Sequence, residues 1–123
     1  MQEPETSNLH IKVAKSGTTT KFEMIAFEGN LDKYGLAAIK DELDKLIENC
    51  EGKYLVFDFT NLEFINSESI GYMLTMHARL AKNSRKLVIV GAKENVRDVL
   101  EVIGLLKIIA YYPSALEFEA QLS

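Results

Sequence analysis

Cysteine is nearly missing from this sequence. Cys50 stands alone among 123 residues, so no internal disulfide can form. A chain built without disulfides fits a reducing compartment. Cys50 follows a helical pattern and precedes Glu51-Gly52, and no electropositive neighbourhood surrounds it to activate a thiol. Tryptophan is absent, and histidine occurs only at His10 and His77, far apart and outside any spaced ligand set, so no metal centre and no cofactor are expected. Long apolar runs are lacking too. None approaches the ~18 residues that span a membrane. Met1–Asn8 is polar and acidic, without the apolar core of a signal peptide, and reads as a flexible tail. A cytoplasmic protein with no membrane partner is expected. The net charge of −4 offers no broad basic surface, so direct nucleic-acid binding is not expected either.

Familiar catalytic signatures are also missing. There is no phosphate-binding Walker loop, no dinucleotide fingerprint and no Gly-x-Ser-x-Gly elbow. Ser67 and Ser69 have no histidine at a recognisable triad position. Asp58, near the end of a strand, sits where a two-component receiver carries its phosphoacceptor. A receiver also needs an acidic pair after its first strand, and here that strand ends Ala14-Lys15-Ser16. An enzyme is therefore not expected, with a small hydrolase using Ser67 as the remaining catalytic alternative.

What is present is a core-forming chain. Apolar residues make up 47% and charged residues 26%, enough to build one domain over 9–123 without staples. His10–Ala14 alternates weakly, Ser16–Thr20 reads as a turn, and Phe22–Phe27 alternates again, which predicts an antiparallel pair. Gly29-Asn30-Leu31-Asp32 breaks that strand, with Asn30 or Asp32 available to cap a helix over Tyr34–Glu48. In that helix Leu36, Ile39, Leu43, Leu46 and Ile47 share one face. Tyr54–Phe59 is a short, apolar, β-branched and aromatic run of the kind buried on both faces of a sheet. Asn66-Ser67-Glu68-Ser69 then precedes a second helical stripe of Ile70, Met73, Leu74, His77, Leu80 and Ala81, where Gly71 permits close packing on the sheet. Leu87–Val90 is the next strand. Val96–Ile103 is a third helix stopped by Gly104, and a last strand is centred on Ile108-Ile109. Pro113-Ser114 opens a final helix with Ala115, Phe118 and Leu122 on one face. The order β-β-α-β-α-β-α-β-α predicts a single α/β domain with a mixed sheet and right-handed crossovers.

The strand-to-helix junction holds the candidate site. Sites in open α/β sheets lie beyond the carboxyl ends of the strands. On residue chemistry alone Ser67 serves as an N-cap, a role Asn66 could also fill. Asp58 satisfies nearby loop N–H groups, Asp32 is a cap or part of a surface near Ser67, and Ser69 is a surface residue of the first helical turn.

Asp58 through Gly71 resembles the signature of the STAS domain, and specifically of bacterial anti-sigma-factor antagonists: an apolar strand ending in Asp, a short loop with Leu, then aromatic-apolar-Asp-Ser-Ser/Ala-Gly-Leu-Gly. Gly29-Asn30-Leu31-Asp32 resembles the family's Gly-Glu-Leu-Asp before its first helix. Arg85–Gly91 and Val96–Ile109 resemble its later strand and its third helix with the segment beyond. The resemblance implies a STAS-like mixed sheet flanked by helices and a partner switch. The unphosphorylated protein binds an anti-sigma factor that is itself a serine kinase. Phosphorylation at Ser67, the serine after the family's Asp, releases it, and a PP2C-type phosphatase reverses the step. The implied partner surface comprises Asn30, Asp32, Asn66, Ser67, Glu68 and Ser69. Asn66 stands where the family has Asp, keeping its hydrogen-bonding shape without its charge. Glu68-Ser69 replaces a pair of small residues. A STAS scaffold that is never phosphorylated, or a lipid-transport accessory subunit, is the alternative within the family.

Overall fold

Alternating apolar residues lay down the sheet, and 3.6-residue stripes lay down the helices that cover it. A computed structural model of the chain describes residues 8–15 and 22–122. Strands β1 (His10–Lys15) and β2 (Phe22–Leu31) are followed by helix α1 (Lys33–Glu48), then β3 (Tyr54–Ile65) and α2 (Ser67–Ala81). Next come β4 (Lys86–Val90), α3 (Glu94–Ile103), a 3-10 turn at Leu105–Lys107, β5 (Ala110–Tyr112) and α4 (Ala115–Ala120). The five strands lie in chain order, β1-β2-β3-β4-β5. β1 pairs antiparallel with β2, and all later pairs are parallel. The expected mixed sheet, element order and central place of the strand starting at Tyr54 are all present. The turn expected over Ser16–Thr20 lies outside the described residues.

Period-2 alternation divides the sheet into two unequal faces. Ile25, Phe27, Leu55, Phe57, Phe59, Leu87 and Ile89 face a large core filled from α1, α2 and α3. Phe27, Phe57 and Phe59 form its aromatic centre, with Phe27 4.8 Å from Phe57 and 5.2 Å from Phe59 between ring centroids. Phe22, Val56, Val88 and Val90 point the other way, and the short helix α4 covers them with Phe118. Phe118 packs edge-on against Phe22 at 5.3 Å and Tyr54 at 5.4 Å, a favoured aromatic arrangement. Ser114 caps α4 by accepting from the Glu117 N–H at 3.1 Å, as Pro113-Ser114 suggested.

Three expectations are corrected. β2 does not break at Gly29 but runs to Leu31, and β3 does not stop at Phe59 but runs to Ile65. Their pairing passes from Ala26↔Asp58 to Glu28↔Asn61, then from Gly29↔Leu62 to Asn30↔Phe64. At each step β3 advances one residue more than β2, as bulges do. The buried positions of β3 therefore fall at Phe59, Leu62 and Ile65, a spacing of three that hides the strand from a period-2 reading. Third, Ile108-Ile109 is not the centre of the last strand. Leu105–Lys107 form a 3-10 turn after Gly104, whose φ of 88° makes it the expected left-handed helix stop, and pairing with β4 starts only at Ala110.

A polar cluster ties α1 to α2. The Tyr72 hydroxyl hydrogen bonds to Asp44, Arg79 donates to Asp44 at 2.8 Å, and Arg79 also approaches Glu48 at 3.5 Å. The Tyr72 hydrogen bond, aided by Arg79, holds the Asp44 carboxyl below its ordinary value of 3.8. As pH falls the unfolded chain therefore takes up this proton before the folded one. The stabilisation is complete above pH 3.8 and is lost as pH falls through the lowered folded value. Asp44→Asn should cost about 1 kcal/mol at pH 7, a modest figure because the pair is partly screened by water. Urea melts of both proteins should converge below that window. An undiminished gap at pH 2 to 3 would reject the assignment.

Candidate functional site

The carboxyl ends of β2 and β3 lie side by side, with Leu31 opposite Ile65, and each hands over at once to a helix. Each junction needs a cap, since the first-turn N–H groups of a helix have no internal partner. Asp32 caps α1, its Oδ1 accepting from the Gly35 N–H at 2.8 Å. Asn66 caps α2, its Oδ1 accepting from the Ser69 N–H at 2.8 Å. Of the two cap candidates at each junction, these residues hold the role. Ser67 is thus released from capping, and it stands exposed at the first position of α2.

One carbonyl couples the two junctions. The Leu31 oxygen accepts from the Asn66 N–H at 3.0 Å and from the Ser69 hydroxyl at 3.1 Å. Ser69 is consequently buried, at 1% exposure, which corrects its expected surface position. It braces the site from beneath and offers no contact to a partner. Asn30, placed by pairing opposite Phe64, is partly exposed, and its N–H donates to the Asn8 side chain at 3.1 Å, so Asn8 is held at this rim. A Cβ on Gly35 would lie 2.1 Å from the Asn30 carbonyl oxygen, so only glycine lets α1 start this close to β2.

The structure thus gathers Asn30, Asp32, Asn66, Ser67 and Glu68 at one rim, with Ser69 below them. The sequence reading missed two contributors. Phe64 is 48% exposed, an aromatic ring standing at the end of the bulged strand. Its outward direction follows from the bulges, although an aromatic at this position was visible in the motif. Glu63 is held by Lys93 at 2.9 Å, and its carbonyl accepts from the Asn95 side chain at 2.9 Å, fixing the start of α3 against this rim. No short-range pattern connects residues so far apart in the chain.

Asp58 has its expected local role: its Oδ1 accepts from the Thr60 N–H at 3.0 Å and the Thr60 hydroxyl at 2.6 Å. Cys50 is buried, its Sγ donates to the Gly52 carbonyl at 3.5 Å, and burial together with nearby Glu23 pushes the thiol up to about 11. Among the described residues no group of three or more His, Cys, Asp or Glu is placed to hold a metal ion. No described helix is long and apolar enough to cross a membrane.

Gly71 corrects another expectation. It does not face the sheet; it is exposed, and a Cβ there would meet nothing within 4 Å. Gly71→Ala should therefore stabilise the isolated protein by roughly 0.5–1 kcal/mol through helix propensity. Differential scanning calorimetry should record a higher Tm. A lower one would mean that the glycine has a structural role within the domain.

A sheet wound in chain order, parallel but for its first strand, with two capped helices rising from adjacent strand ends, defines an α/β domain that displays a polar rim beside a central strand. The chain belongs to the STAS domain family, whose sequence model matches residues 14–117. Solved structures agree in fold. An anti-sigma factor antagonist from Mycobacterium paratuberculosis superposes with a TM-score of 0.78 at 17% identity, covering 89% of this chain and 90% of its own. The Bacillus cell fate determinant SpoIIAA in its phosphorylated form gives 0.66 at 17% identity, covering 93% and 100%, and SpoIIAA in its unphosphorylated form gives 0.73 at 18%, covering 92% and 96%. A serine-to-glutamate variant of RsbS from Moorella thermoacetica gives 0.64 at 27% identity, covering 91% and 96%.

Proposed function

We propose that this protein is an anti-sigma-factor antagonist working by partner switching in the cytoplasm. Unphosphorylated, it binds an anti-sigma serine kinase; phosphate on Ser67 releases it, and a PP2C-type phosphatase restores it. The observation that carries this reading is the division of labour at the start of α2. Asn66 does the capping, so Ser67 is exposed and its hydroxyl takes part in no described hydrogen bond. The amides of Ser67 and Glu68 have no described acceptor. A phosphate here meets the positive end of a helix while the cap stays in place. The likeness to SpoIIAA, a protein with phosphorylated and unphosphorylated forms, supports the same reading.

The partner surface comprises Asn30, Asp32, Asn66, Ser67 and Glu68, extended by Phe64 and the open helix face at Gly71. An exposed aromatic beside polar groups is the composition of an interface anchor. We also propose a binding module and not an enzyme: no histidine hydrogen bonds to Ser67 among the described residues, so no base activates its hydroxyl. The test incubates the protein with its co-purified kinase and ATP, followed by mass spectrometry. Label on Ser67, lost on treatment with a PP2C-type phosphatase, supports the switch. An unmodified Ser67, with the kinase active on a control substrate, refutes it.

A further inference from the structure

The end of α2 opposite Ser67 borders a cavity of about 390 Å³. Its wall is apolar where Ala81, Leu87, Ile108 and Ala110 meet, and basic where Arg85 and Lys86 enter β4. Among the described residues no carboxylate lines it, although the chain carries a net charge of −4. Neither Arg85 nor Lys86 has an ion-pair partner among the described residues. Arg85 is nonetheless oriented: its Nε donates to the Gly52 carbonyl at 3.1 Å, which leaves its terminal amino groups to bind elsewhere. The last carbonyls of α2 do not compete for these cations. Backbone N–H groups of Lys82, Asn83, Ser84 and Arg85 already bond to the oxygens of Ala78, Leu80 and Ala81. His77 also lines the cavity, and its Nδ1 is buried with no hydrogen-bond partner. Two cations without ion-pair partners and an apolar floor thus meet in one recess, with His77 in its wall.

We propose that this cavity binds a small phosphate monoester, its head group between Arg85 and Lys86 and its compact apolar body against Leu87, Ile108 and Ala110. Two cations, one of them oriented, match a dianion, and a guanidinium fork suits phosphate oxygens. The volume matches a small metabolite. Ser67 lies ten residues before His77 on α2, about 15 Å along the axis, so this site is separate from the partner rim.

The test is an amide NMR titration of the full chain with phenyl phosphate, inorganic phosphate and benzoate. Phenyl phosphate should shift His77, Ala81, Leu87 and Ala110 saturably with a Kd below about 1 mM, and inorganic phosphate should bind about tenfold more weakly. Lys86→Gln, at an exposed side chain with no other described contact, should weaken phenyl phosphate about fivefold or more while leaving Tm unchanged. Ile108→Glu, which places a carboxylate at the exposed edge of the cavity, should abolish the shifts. No saturable shift, equal response to inorganic phosphate, benzoate binding as tightly, shifts centred on Ser67, or binding unchanged by Lys86→Gln would each overturn the proposal.

Discussion

In the proposed switch, phosphorylation of Ser67 is expected to weaken binding to an anti-sigma kinase by roughly 5- to 150-fold, the range of a coupling of ~1–3 kcal/mol. A phosphoserine brings about −1.5 to −2 charges at pH 7. Within the domain the free amides at the start of α2 can hold that charge, so the fold should survive. At the partner surface it stands beside Glu68 and near Asp32, and excluding water from such a cluster is costly. Ser67→Ala should keep full affinity and resist the kinase. Ser67→Asp should bind more weakly than Ser67→Ala, yet less weakly than the phosphoprotein, because it adds a single charge. Isothermal titration of the kinase with all four forms checks the ranking. Equal affinities for phosphorylated and unphosphorylated protein would sink the switch even if Ser67 proves to be modified.

Phe57→Ala should cost about 3–5 kcal/mol, the usual range for removing a fully buried ring. Phe57 is 1% exposed on the central strand and packs between Phe27 and Phe59. Neighbouring strands on both sides hold the backbone in register, so the void cannot collapse easily. A domain of this size has about 5–15 kcal/mol in total, so much of the population should unfold in mild denaturant. Val102→Ala, at a position 86% exposed on α3, should change stability by less than about 0.5 kcal/mol. Comparable losses in the two variants, measured by urea denaturation, would show that the core is not centred on β3.

The fold was largely legible because each face carried its period without interruption. Ile25 and Phe27 alternate with less buried neighbours, Tyr54–Phe59 is a nearly continuous apolar run buried on both faces, and Leu36, Ile39, Leu43 and Ile47 keep helical spacing. Legibility ended where the period changed. The bulges put Phe59, Leu62 and Ile65 three apart, so a strand looked like a loop, and Phe64 was left without a direction. The 3-10 turn at Leu105–Lys107 brought apolar residues together without strand pairing, which displaced β5. At the site, local chemistry narrowed the first cap to Asn30 or Asp32 and favoured Ser67 for the second, where Asn66 caps instead; only the family resemblance singled out Ser67 as more than a cap. The burial of Ser69 was not readable, because its partner is a main-chain oxygen 38 positions earlier in the chain. Side-chain type says nothing about which carbonyl a fold will bring near.

The chain-order sheet also governs how the domain can assemble. Every strand pair joins successive strands, so no pairing has to close more than one strand–helix crossover. During synthesis each new strand can dock on an edge that already exists, and none must insert between two others. The exception is the second face. Phe22, Val56 and Val88 remain uncovered until Phe118 has been made, so a nascent chain ending at β5 would present a sticky apolar surface to its neighbours.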